Sequence, residues 1–263
     1  MVKLTDLNKV FFKDTVNENH VLKGINLEIK KGDFITIIGS NGAGKSTLFN
    51  LISGNLECSS GTVHLKNKDI TKIKEHKRAK YIGRIFQNPL LGTAGNMSLE
   101  DNMIITGSKG FKGLKISLNN KKREQFKTVL RELDMGLEYR LKDNVGLLSG
   151  GQRQALTLLM MVLSRPELVL LDEHTAALDP RNAEKVLNLT DNLFKKYDLT
   201  GMMITHNMEH AIKYGNRLLM MDKGEIILDV SGKEKDELTV NSLVQKFHDI
   251  RSENYINDET LLS

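Results

Sequence analysis

The segment GSNGAGKS, Gly39–Ser46, separates a strand pattern from a helix pattern and constrains the fold more than any other stretch of the sequence. The residues that lead into it, FITIIG, are apolar and β-branched, which is typical of a buried strand. The residues that recur at helical spacing behind it are Leu48, Phe49, Leu51 and Ile52. Gly54 then marks the helix end. A strand, a glycine-rich turn and a helix in this order predict a parallel α/β fold.

The same segment matches the pattern G-x-x-x-x-G-K-[ST], which binds phosphate groups when a strand precedes it and a helix follows. Glycines let backbone N–H groups approach phosphate oxygens, and the positive end of the helix dipole points at the same anion. Lys45 would reach the β- and γ-phosphates, and the Ser46 hydroxyl would bind Mg²⁺. An ordinary glycine-rich turn is the alternative, but the lysine and the serine favour a nucleotide. The predicted contacts, called the phosphate loop below, are Gly39, Ser40, Asn41, Gly42, Ala43, Gly44, Lys45, Ser46 and Thr47.

Further patterns predict additional strands and helices of an α/β fold along the chain. LVLLD (Leu168–Asp172) and GMMIT (Gly201–Thr205) each predict a buried strand that leads into a helix. The helix after the first of these begins at Pro180, which fits a first helical turn. NRLLMMDKGEIILDV predicts two strands joined by a turn at Asp222–Gly224. The region from about 88 to 147 lacks comparable strand patterns, so we expect it to be mainly helical.

Polar side chains follow two of the predicted strands. Asp172 and Glu173 stand at the exposed end of LVLLD, where an aspartate can hold Mg²⁺ through water and a glutamate can activate the water that attacks the γ-phosphate. A cap for the next segment is the alternative role of Asp172. His206 follows GMMIT directly, at the sheet edge where the phosphate loop also lies, which favours a γ-phosphate contact over a purely structural role.

The segment LLSGGQRQALTLLMM places serine and two glycines at the start of an apolar helical pattern, although glycine favours helices poorly. Ser149, Gly150 and Gly151 would therefore present a hydroxyl and bare backbone donors at a helix N-terminus, which makes a second anion site. Leu156, Leu159, Met160 and Leu163 would bury the helix and fix its direction. The methionines fit core filling better than a cofactor surface.

Composition excludes several classes of protein. The chain has 263 residues, its longest apolar stretches are too short to cross a bilayer, and its N-terminus has no signal-peptide pattern, so we expect a cytoplasmic chain. The single cysteine, Cys58, cannot form an intramolecular disulfide. The net charge is +5, but basic and acidic residues are mixed along most of the chain, which argues against nucleic-acid binding. The exception is Lys109–Arg123, which has basic residues and no acidic ones. This segment is either a solvated loop that leads into a helix or a surface that contacts lipid headgroups or phosphate.

These motifs together resemble the ATP-binding cassette (ABC) family. LSGGQ is similar to the family signature, GSNGAGKS to Walker A, LVLLDE to Walker B and AALDP to the D-loop. Gln87 in RIFQNP resembles the Q-loop glutamine, and His206 resembles the switch histidine. Their order and spacing match from Leu4 to about Val230. His174 departs from the pattern, because many relatives have proline there, and this leaves the turn after Walker B less constrained.

The resemblance implies an α/β P-loop NTPase core with a parallel sheet, an antiparallel β-subdomain and an α-helical subdomain. We expect one ABC ATPase domain over residues 1–250. Within it, residues 1–87 and 165–230 would form the nucleotide-binding core and residues 88–164 the helical subdomain. Residues 231–263 would form a C-terminal helical tail.

The resemblance also assigns roles in a head-to-tail homodimer that closes around ATP and Mg²⁺. Ser149, Gly150, Gly151 and Gln152 of one chain, called the signature segment below, would close over ATP held by Lys45 of the other. Gln87 would sense the γ-phosphate and Mg²⁺, Asp179 would link the two sites, and an aromatic residue would stack on adenine. Phe11 and Phe12 are both candidates, and we choose Phe11 from its spacing to the strand before Walker A. The expected catalytic residues are Glu173, His206 and Gln87, and the expected magnesium ligands are Ser46, Gln87 and Asp172.

The family contains proteins with several different functions. A single cassette without a membrane span disfavours exporters that fuse cassette and permease, and about a hundred residues between Lys45 and Ser149 leave no room for the long coiled coils of chromosome-maintenance relatives. The sequence looks most like ATPases of bacterial importers, some of which take up amino acids. We expect a separate permease docked near residues 88–104, a separate substrate-binding protein and a place at the cytoplasmic face of the membrane. An iron-sulfur assembly ATPase is the alternative.

Overall fold

The computed structural model describes residues 1–106 and 118–249, and the described chain forms two compact units. The first unit comprises Met1–Glu75 and the described residues from Met202 onward, and the second comprises His76–Gly201. Residues 109–117 of the basic segment Lys109–Arg123 lie outside the described residues, as do residues 250–263 of the expected tail.

An antiparallel sheet forms one part of the first unit. Its strands are β1 (Val2–Phe11), β2 (Asn19–Ile29), β4 (Ser60–Leu65) and β5 (Lys68–Asp69), in the order β2-β1-β4-β5. Val2 pairs with Ile29 and Phe11 with Asn19, and both Val2 and Ile29 are fully buried. The alternation of buried and exposed side chains along these strands indicates a sheet with one face in the core. The expected antiparallel N-terminal part is therefore confirmed.

Parallel strands form the other part of this unit. β3 (Phe34–Gly39) pairs in parallel with β9 (Arg217–Asp222), and β9 pairs with β10 (Glu225–Ser231) in antiparallel orientation through the predicted turn. β8 (Gly201–Ile204) is the other neighbour of β3. β3 is buried on both faces, as its uninterrupted apolar sequence predicts. The helices are α1 (Lys45–Ser53), α7 (Met208–Lys213), α8 (Lys233–Asp236) and a helical stretch over residues 240–249.

The second unit combines two parallel strands with helices. β6 (Ile82–Ile85) pairs in parallel with β7 (Leu168–Asp172), so that Ile85 lies beside Leu171. Its helices are α3 (Leu99–Thr106), α4 (Asn120–Arg131), α5 (Gly150–Leu163) and α6 (Pro180–Lys196), with 3-10 turns at Leu137–Tyr139 and Val145–Leu147. A short helix, α2 (Glu75–Arg78), begins at the boundary with the first unit.

An apolar cluster holds the helical part of this unit together. It includes Leu99 and Met103 of α3, Phe126 and Leu130 of α4, and Leu156, Leu159 and Met160 of α5. The predicted buried face of α5 is therefore confirmed, with Leu163 packed at the edge of the cluster. Burial of this stripe stabilises the helix and fixes the direction of its N-terminus.

The fold class is confirmed as α/β with a parallel sheet, an antiparallel sheet and helices. The subdomain boundaries expected at residues 88 and 164 stay a prediction. In the described residues, no helix has the length and hydropathy that crossing a bilayer requires.

Candidate functional site

The phosphate loop of the first unit connects β3 to α1. Gly44 precedes α1 in a left-handed conformation, with φ of 97°, and no described side chain caps the helix there. The first amide groups of a helix have no intrahelical acceptor, so they are available to an anion. A Cβ on Gly44 would lie 2.6 Å from the Cδ2 atom of Leu22, and one on Gly39 would lie 2.1 Å from the carbonyl oxygen of Met221. Glycine is therefore required by packing at both ends of the loop.

Lys45 is buried and turned back onto this loop. Its ammonium group donates to the carbonyl oxygens of Gly39 at 2.8 Å and Ser40 at 2.9 Å. Ser40 in turn donates its hydroxyl to Asp222 at 2.8 Å, which attaches the loop to the end of β9. Asp222 was missed by the sequence analysis, because its contact with Ser40 spans most of the chain. The loop thus holds a positive charge beside uncapped helix amides, as a phosphate site requires.

His206 follows β8, the neighbour of β3 in the first unit. Thr205 donates its backbone N–H to the carbonyl oxygen of Ile37 at 3.1 Å, which aligns the end of β8 with the end of β3. The next residue, Asn207, caps α7 by accepting from the amide of His210 at 3.0 Å. His206 itself is exposed at the strand end. This position agrees with the predicted sheet edge, while its γ-phosphate contact stays a prediction.

The two candidate adenine-stacking residues lie at the end of β1. Phe11 is half-buried, and the Lys9 ammonium lies 4.9 Å from its ring centroid. Phe12 is 71% exposed and has a positive φ of 53°. Phe11 is therefore the more firmly placed of the two, and the choice between them stays a prediction.

The carboxylates of the second unit stand at the end of β7. The parallel register of β6 and β7 places Gln87, two residues beyond β6, at the same strand edge as Asp172 and Glu173. Asp172 accepts from the Arg84 guanidinium at 2.6 Å. Glu173 has a left-handed φ of 47°, which is uncommon for a residue with a side chain and recurs at functional sites.

His174, beside these carboxylates, is a core residue. Its ring is 2% exposed, and Nε2 lies 3.1 Å from the Thr190 hydroxyl of α6. Burial lowers the pKa of the imidazole from 6.5 to about 4. The neutral ring therefore packs the turn after Walker B against α6. Thr190 lies 16 residues after His174, and no pattern in the sequence predicts the contact between them.

The signature segment begins α5 with reciprocal capping. The Ser149 hydroxyl accepts from the Gln152 amide at 3.3 Å, and the Gln152 side chain accepts from the Ser149 amide at 3.1 Å. The sequence predicts bare backbone donors at Ser149, Gly150 and Gly151, together with the Ser149 hydroxyl. In the structure the hydroxyl and two amides are engaged, because S-x-x-Q is a capping-box pattern. The amides of Gly150 and Gly151 remain at the helix start, where intrahelical acceptors are absent.

Asp179 caps the following helix, α6. Its carboxylate accepts from the Asn182 amide at 3.1 Å and from the Asn182 side chain at 2.7 Å. These hydrogen bonds lower the pKa of the exposed carboxyl. The side chain is therefore held in place within its own chain, and its role between two sites stays a prediction.

Each unit, taken by itself, contains oxygen donors that suit a magnesium nucleotide. Hydroxyl, amide and carboxylate oxygens are hard ligands, as Mg²⁺ prefers, and Mg²⁺ usually keeps water and phosphate ligands besides. Over residues 1–106 and 118–249, no cluster of histidine, cysteine and acidic side chains could hold a metal by itself. Asp172 forms an ion pair with Arg84, so a metal at this carboxylate would compete with the guanidinium. The residues therefore fit a metal that arrives with nucleotide.

Known proteins are similar to this chain in sequence. The model of the ABC transporter family matches residues 22–176. A tyrosine transport ATP-binding protein of Clostridioides difficile (strain R20291) is 42% identical over 248 residues, which cover 94% of this chain and 98% of that protein. Energy-coupling factor transporter ATP-binding protein EcfA2 of Clostridium tetani (strain Massachusetts / E88) is 35% identical over 87% of this chain and 78% of that protein.

Solved structures agree with the sequence comparisons. The ADP conformation of MJ1267, an ATP-binding cassette of an ABC transporter, has a TM-score of 0.74 and 28% identity, covering 94% of this chain and 98% of that one. The dimeric post-hydrolysis state of the cassette MJ0796 bound to ADP and Pi has a TM-score of 0.70 and 26% identity, covering 88% and 98%. The chain therefore belongs to the ABC transporter family, as an ATP-binding subunit with an ATPase domain.

Proposed function

We propose that this chain is the ATP-hydrolysing motor of a bacterial importer that takes up an amino acid, with tyrosine as the first substrate to test. The observation that carries the proposal is the 42% identity with a tyrosine transport ATP-binding protein over nearly the full length of both chains. A phosphonates import ATP-binding protein of Lactobacillus acidophilus, which is 31% identical, supports uptake, and the energy-coupling factor relative supports a transporter. These relatives favour a transporter over the iron-sulfur assembly alternative.

The proposed reaction assigns a task to each site residue. Lys45 and the amides at the start of α1 bind the phosphates, while Phe11 stacks on adenine. Ser46, Gln87 and Asp172 would hold Mg²⁺, which would neutralise charge on the phosphates. Glu173 orients and deprotonates the attacking water, and His206 contacts the γ-phosphate. General-base assistance of this kind typically contributes 10²- to 10⁴-fold to the rate.

Two copies of the chain would share each ATP. In this proposal Lys45 of one copy and Ser149 of the other contact the same γ-phosphate, and Asp179 connects the two sites. The dimeric cassette bound to ADP and Pi supports this arrangement as a family property. Hydrolysis removes the bridging phosphate, so the two chains separate and the cycle can restart.

Residues 88–104 are the proposed docking segment for a separate permease. Leu90 and Leu91 are 58% and 64% exposed, and Met97 is also exposed, so the segment presents apolar side chains to solvent. Exposed apolar residues near one another are typical of a surface that another protein covers. A solved relative, cbiO1 of Clostridium perfringens, is described as part of the ABC transporter complex cbiONQ. The chain would thus work at the cytoplasmic face of the membrane with a permease and a substrate-binding protein.

Uptake by a reconstituted transporter tests the proposal. The chain is purified with the proposed permease, placed in vesicles with the proposed binding protein, and given ATP and labelled tyrosine. We expect ATP-dependent accumulation that is lost with Glu173→Gln. ATP hydrolysis without accumulation of any amino acid would contradict the substrate assignment. Copurification with iron-sulfur scaffold proteins in place of a permease would contradict the importer itself.

A further inference from the structure

Arg84 of β6 forms an ion pair with Asp172, the carboxylate at the end of the neighbouring strand β7. Nη2 of Arg84 lies 2.6 Å from Oδ2 of Asp172. The two side chains are only 12% and 15% exposed, so water screens the pair weakly. Charge-assisted hydrogen bonds at this distance are among the stronger contacts in proteins. The carboxylate proposed to hold Mg²⁺ is therefore already neutralised within the second unit.

The surroundings of Arg84 keep its guanidinium at this place. The parallel register sets Arg84 beside Leu170, one residue pair before the strand ends. The guanidinium carbon also lies 4.8 Å from the ring centroid of Phe86, within the range of a cation–π contact. Phe86 immediately precedes Gln87. Arg84 thus joins the Walker B carboxylate to the strand end that bears the Q-loop glutamine.

A divalent cation on Asp172 cannot coexist favourably with this ion pair. Mg²⁺ at the carboxylate would place two positive groups within a few ångströms of each other at a partly buried position, where like charges repel strongly. The guanidinium and the metal would also draw on the lone pairs of the same carboxylate, that of Asp172. Whether the metal binds directly or through water, it competes with Arg84 for the negative charge of this carboxylate, so binding of the metal weakens the Arg84 contact with Oδ2.

We propose that Arg84 is a positioning residue that pairs with the Walker B carboxylate and competes with Mg²⁺ for it. The inference rests on the proposed function, because it needs Asp172 to be a magnesium ligand. Arg84 neutralises Asp172 when the metal is absent and so keeps a buried carboxylate satisfied. When the metal takes its place, the contact between β6 and β7 changes next to Phe86 and Gln87. Metal occupancy is thereby coupled to the Q-loop.

Magnesium dependence of ADP binding tests this exchange without any turnover. ADP affinity is measured by calorimetry over a series of free Mg²⁺ concentrations, and also in EDTA, for the wild type and Arg84→Met. Removing a competing charge-assisted contact worth ~1.4 kcal/mol should lower the half-saturating Mg²⁺ concentration about tenfold. ADP affinity in EDTA should change less than about twofold. Unchanged or weaker Mg²⁺ dependence in Arg84→Met would overturn the inference, since Arg84 would then only orient Asp172.

Two further substitutions distinguish a failure of this inference from a failure of the proposed metal role of Asp172. Arg123→Met breaks another arginine–carboxylate pair of the same unit, with Glu100 at 2.9 Å, and should leave the Mg²⁺ dependence unchanged. Asp172→Asn should weaken the Mg²⁺ dependence in both backgrounds; if it has no effect, the metal role of Asp172 fails and the inference fails with it. If Asp172→Asn has its effect and Arg84→Met does not tighten Mg²⁺ binding, the inference alone fails.

Arg84→Lys keeps the test decisive if Arg84→Met does not fold, which circular dichroism would show. An ammonium group on a shorter side chain makes a weaker pair with Asp172 than the guanidinium fork. The half-saturating Mg²⁺ concentration should therefore fall in the same direction by a smaller factor. A rise or no change in that concentration for Arg84→Lys would count against the inference.

Discussion

The ammonium group of Lys45 lies 2.8 Å from the backbone carbonyl oxygen of Gly39, the residue that ends strand β3. The glycine-rich turn thus brings the first helical residue back to the strand that precedes it. This contact holds the charge where a phosphate would meet both the ammonium and the uncapped amides of α1.

Lys45→Ala should weaken ATP binding sharply, because it removes a charged partner of the phosphates. Charge-assisted hydrogen bonds contribute about 1.5–3 kcal/mol, which corresponds to roughly 10- to 100-fold in affinity. Calorimetric titration with ATP measures the change. Lys185→Ala, which removes an exposed lysine from α6, should bind as the wild type does. Equal affinity of Lys45→Ala and the wild type would contradict the assignment.

Glu173→Gln should bind ATP, hydrolyse it very slowly and accumulate as a dimer. The amide keeps the shape of the side chain but cannot accept the proton of the attacking water. Loss of a general base typically costs 10²- to 10⁴-fold in rate. Phosphate release and size-exclusion chromatography with ATP provide the two readouts, and Glu184→Gln on the exposed side of α6 is the control. A near-normal rate would remove Glu173 from this role.

Mixing Lys45→Ala with Gly150→Asp should restore part of the ATPase activity that each variant lacks alone. The first cannot hold the phosphates, and the second puts a carboxylate against the γ-phosphate, where like charges repel. In a mixed dimer one site carries both lesions, and the other joins an intact phosphate loop to an intact signature segment. If the phosphate loop and the signature segment of the same chain acted on one ATP, every site in the mixture would carry a lesion and mixing would restore no activity.

The control for this mixture is Gly150→Ala, because a Cβ at Gly150 would lie 3.2 Å from Cδ2 of Leu178 even without a charge. It should keep more activity than Gly150→Asp if repulsion of the phosphate is the cause. ATP-dependent dimerisation is measured on the same samples. A strictly monomeric wild type that still hydrolyses ATP, together with no rescue on mixing, would refute the shared site.

Acidification should destabilise the protein through His174. Burial lowers the folded-state pKa to about 4, below the unfolded-state value of 6.5. The unfolded chain therefore binds the proton first, and the stability present above pH 6.5 is lost as the pH falls towards 4. Linkage gives a loss of about 2 kcal/mol between pH 7 and pH 5 from this group.

Urea unfolding at both pH values checks this expectation. His174→Gln should lose less stability than the wild type over the same interval, since glutamine does not titrate. His76→Gln, a change at an exposed histidine, should follow the wild type. Parallel losses in His174→Gln and the wild type would show that His174 does not carry the effect.

Lys235→Met should lower the free energy of unfolding. The buried ammonium donates to the carbonyl oxygens of Ile212 at 2.7 Å, Tyr214 at 2.9 Å and Gly215 at 3.0 Å, at the end of α7. A buried polar group deprived of its partner costs about 1–3 kcal/mol. Urea unfolding should therefore show a clear loss in this variant and almost none in Lys233→Met, because Lys233 is exposed. Equal stability of the two variants would contradict the role of Lys235.

Several elements could be predicted because their causes are local. The buried strand Phe34–Gly39, the helix that follows the phosphate loop, and the hairpin through Asp222–Gly224 all came from patterns within a few residues, and the structure confirms them. The capping of α5 also had a local signal, since Ser149 and Gln152 form the S-x-x-Q pattern. This capping engages the Ser149 hydroxyl and the Ser149 amide, and it leaves the amides of Gly150 and Gly151 at the helix start, as the expected anion site requires.

Other features were decided by the tertiary structure alone. The register of β6 against β7 brings Arg84 to Asp172 across 88 residues of sequence, and packing of α6 buries His174 beside Thr190. Lys235 is buried because the end of α7 offers it carbonyl oxygens from residues 20 to 23 positions away. Periodicity and turn chemistry act along the chain and can be read from it. The partner of a charged side chain depends on which elements pack together, and only the folded chain specifies that.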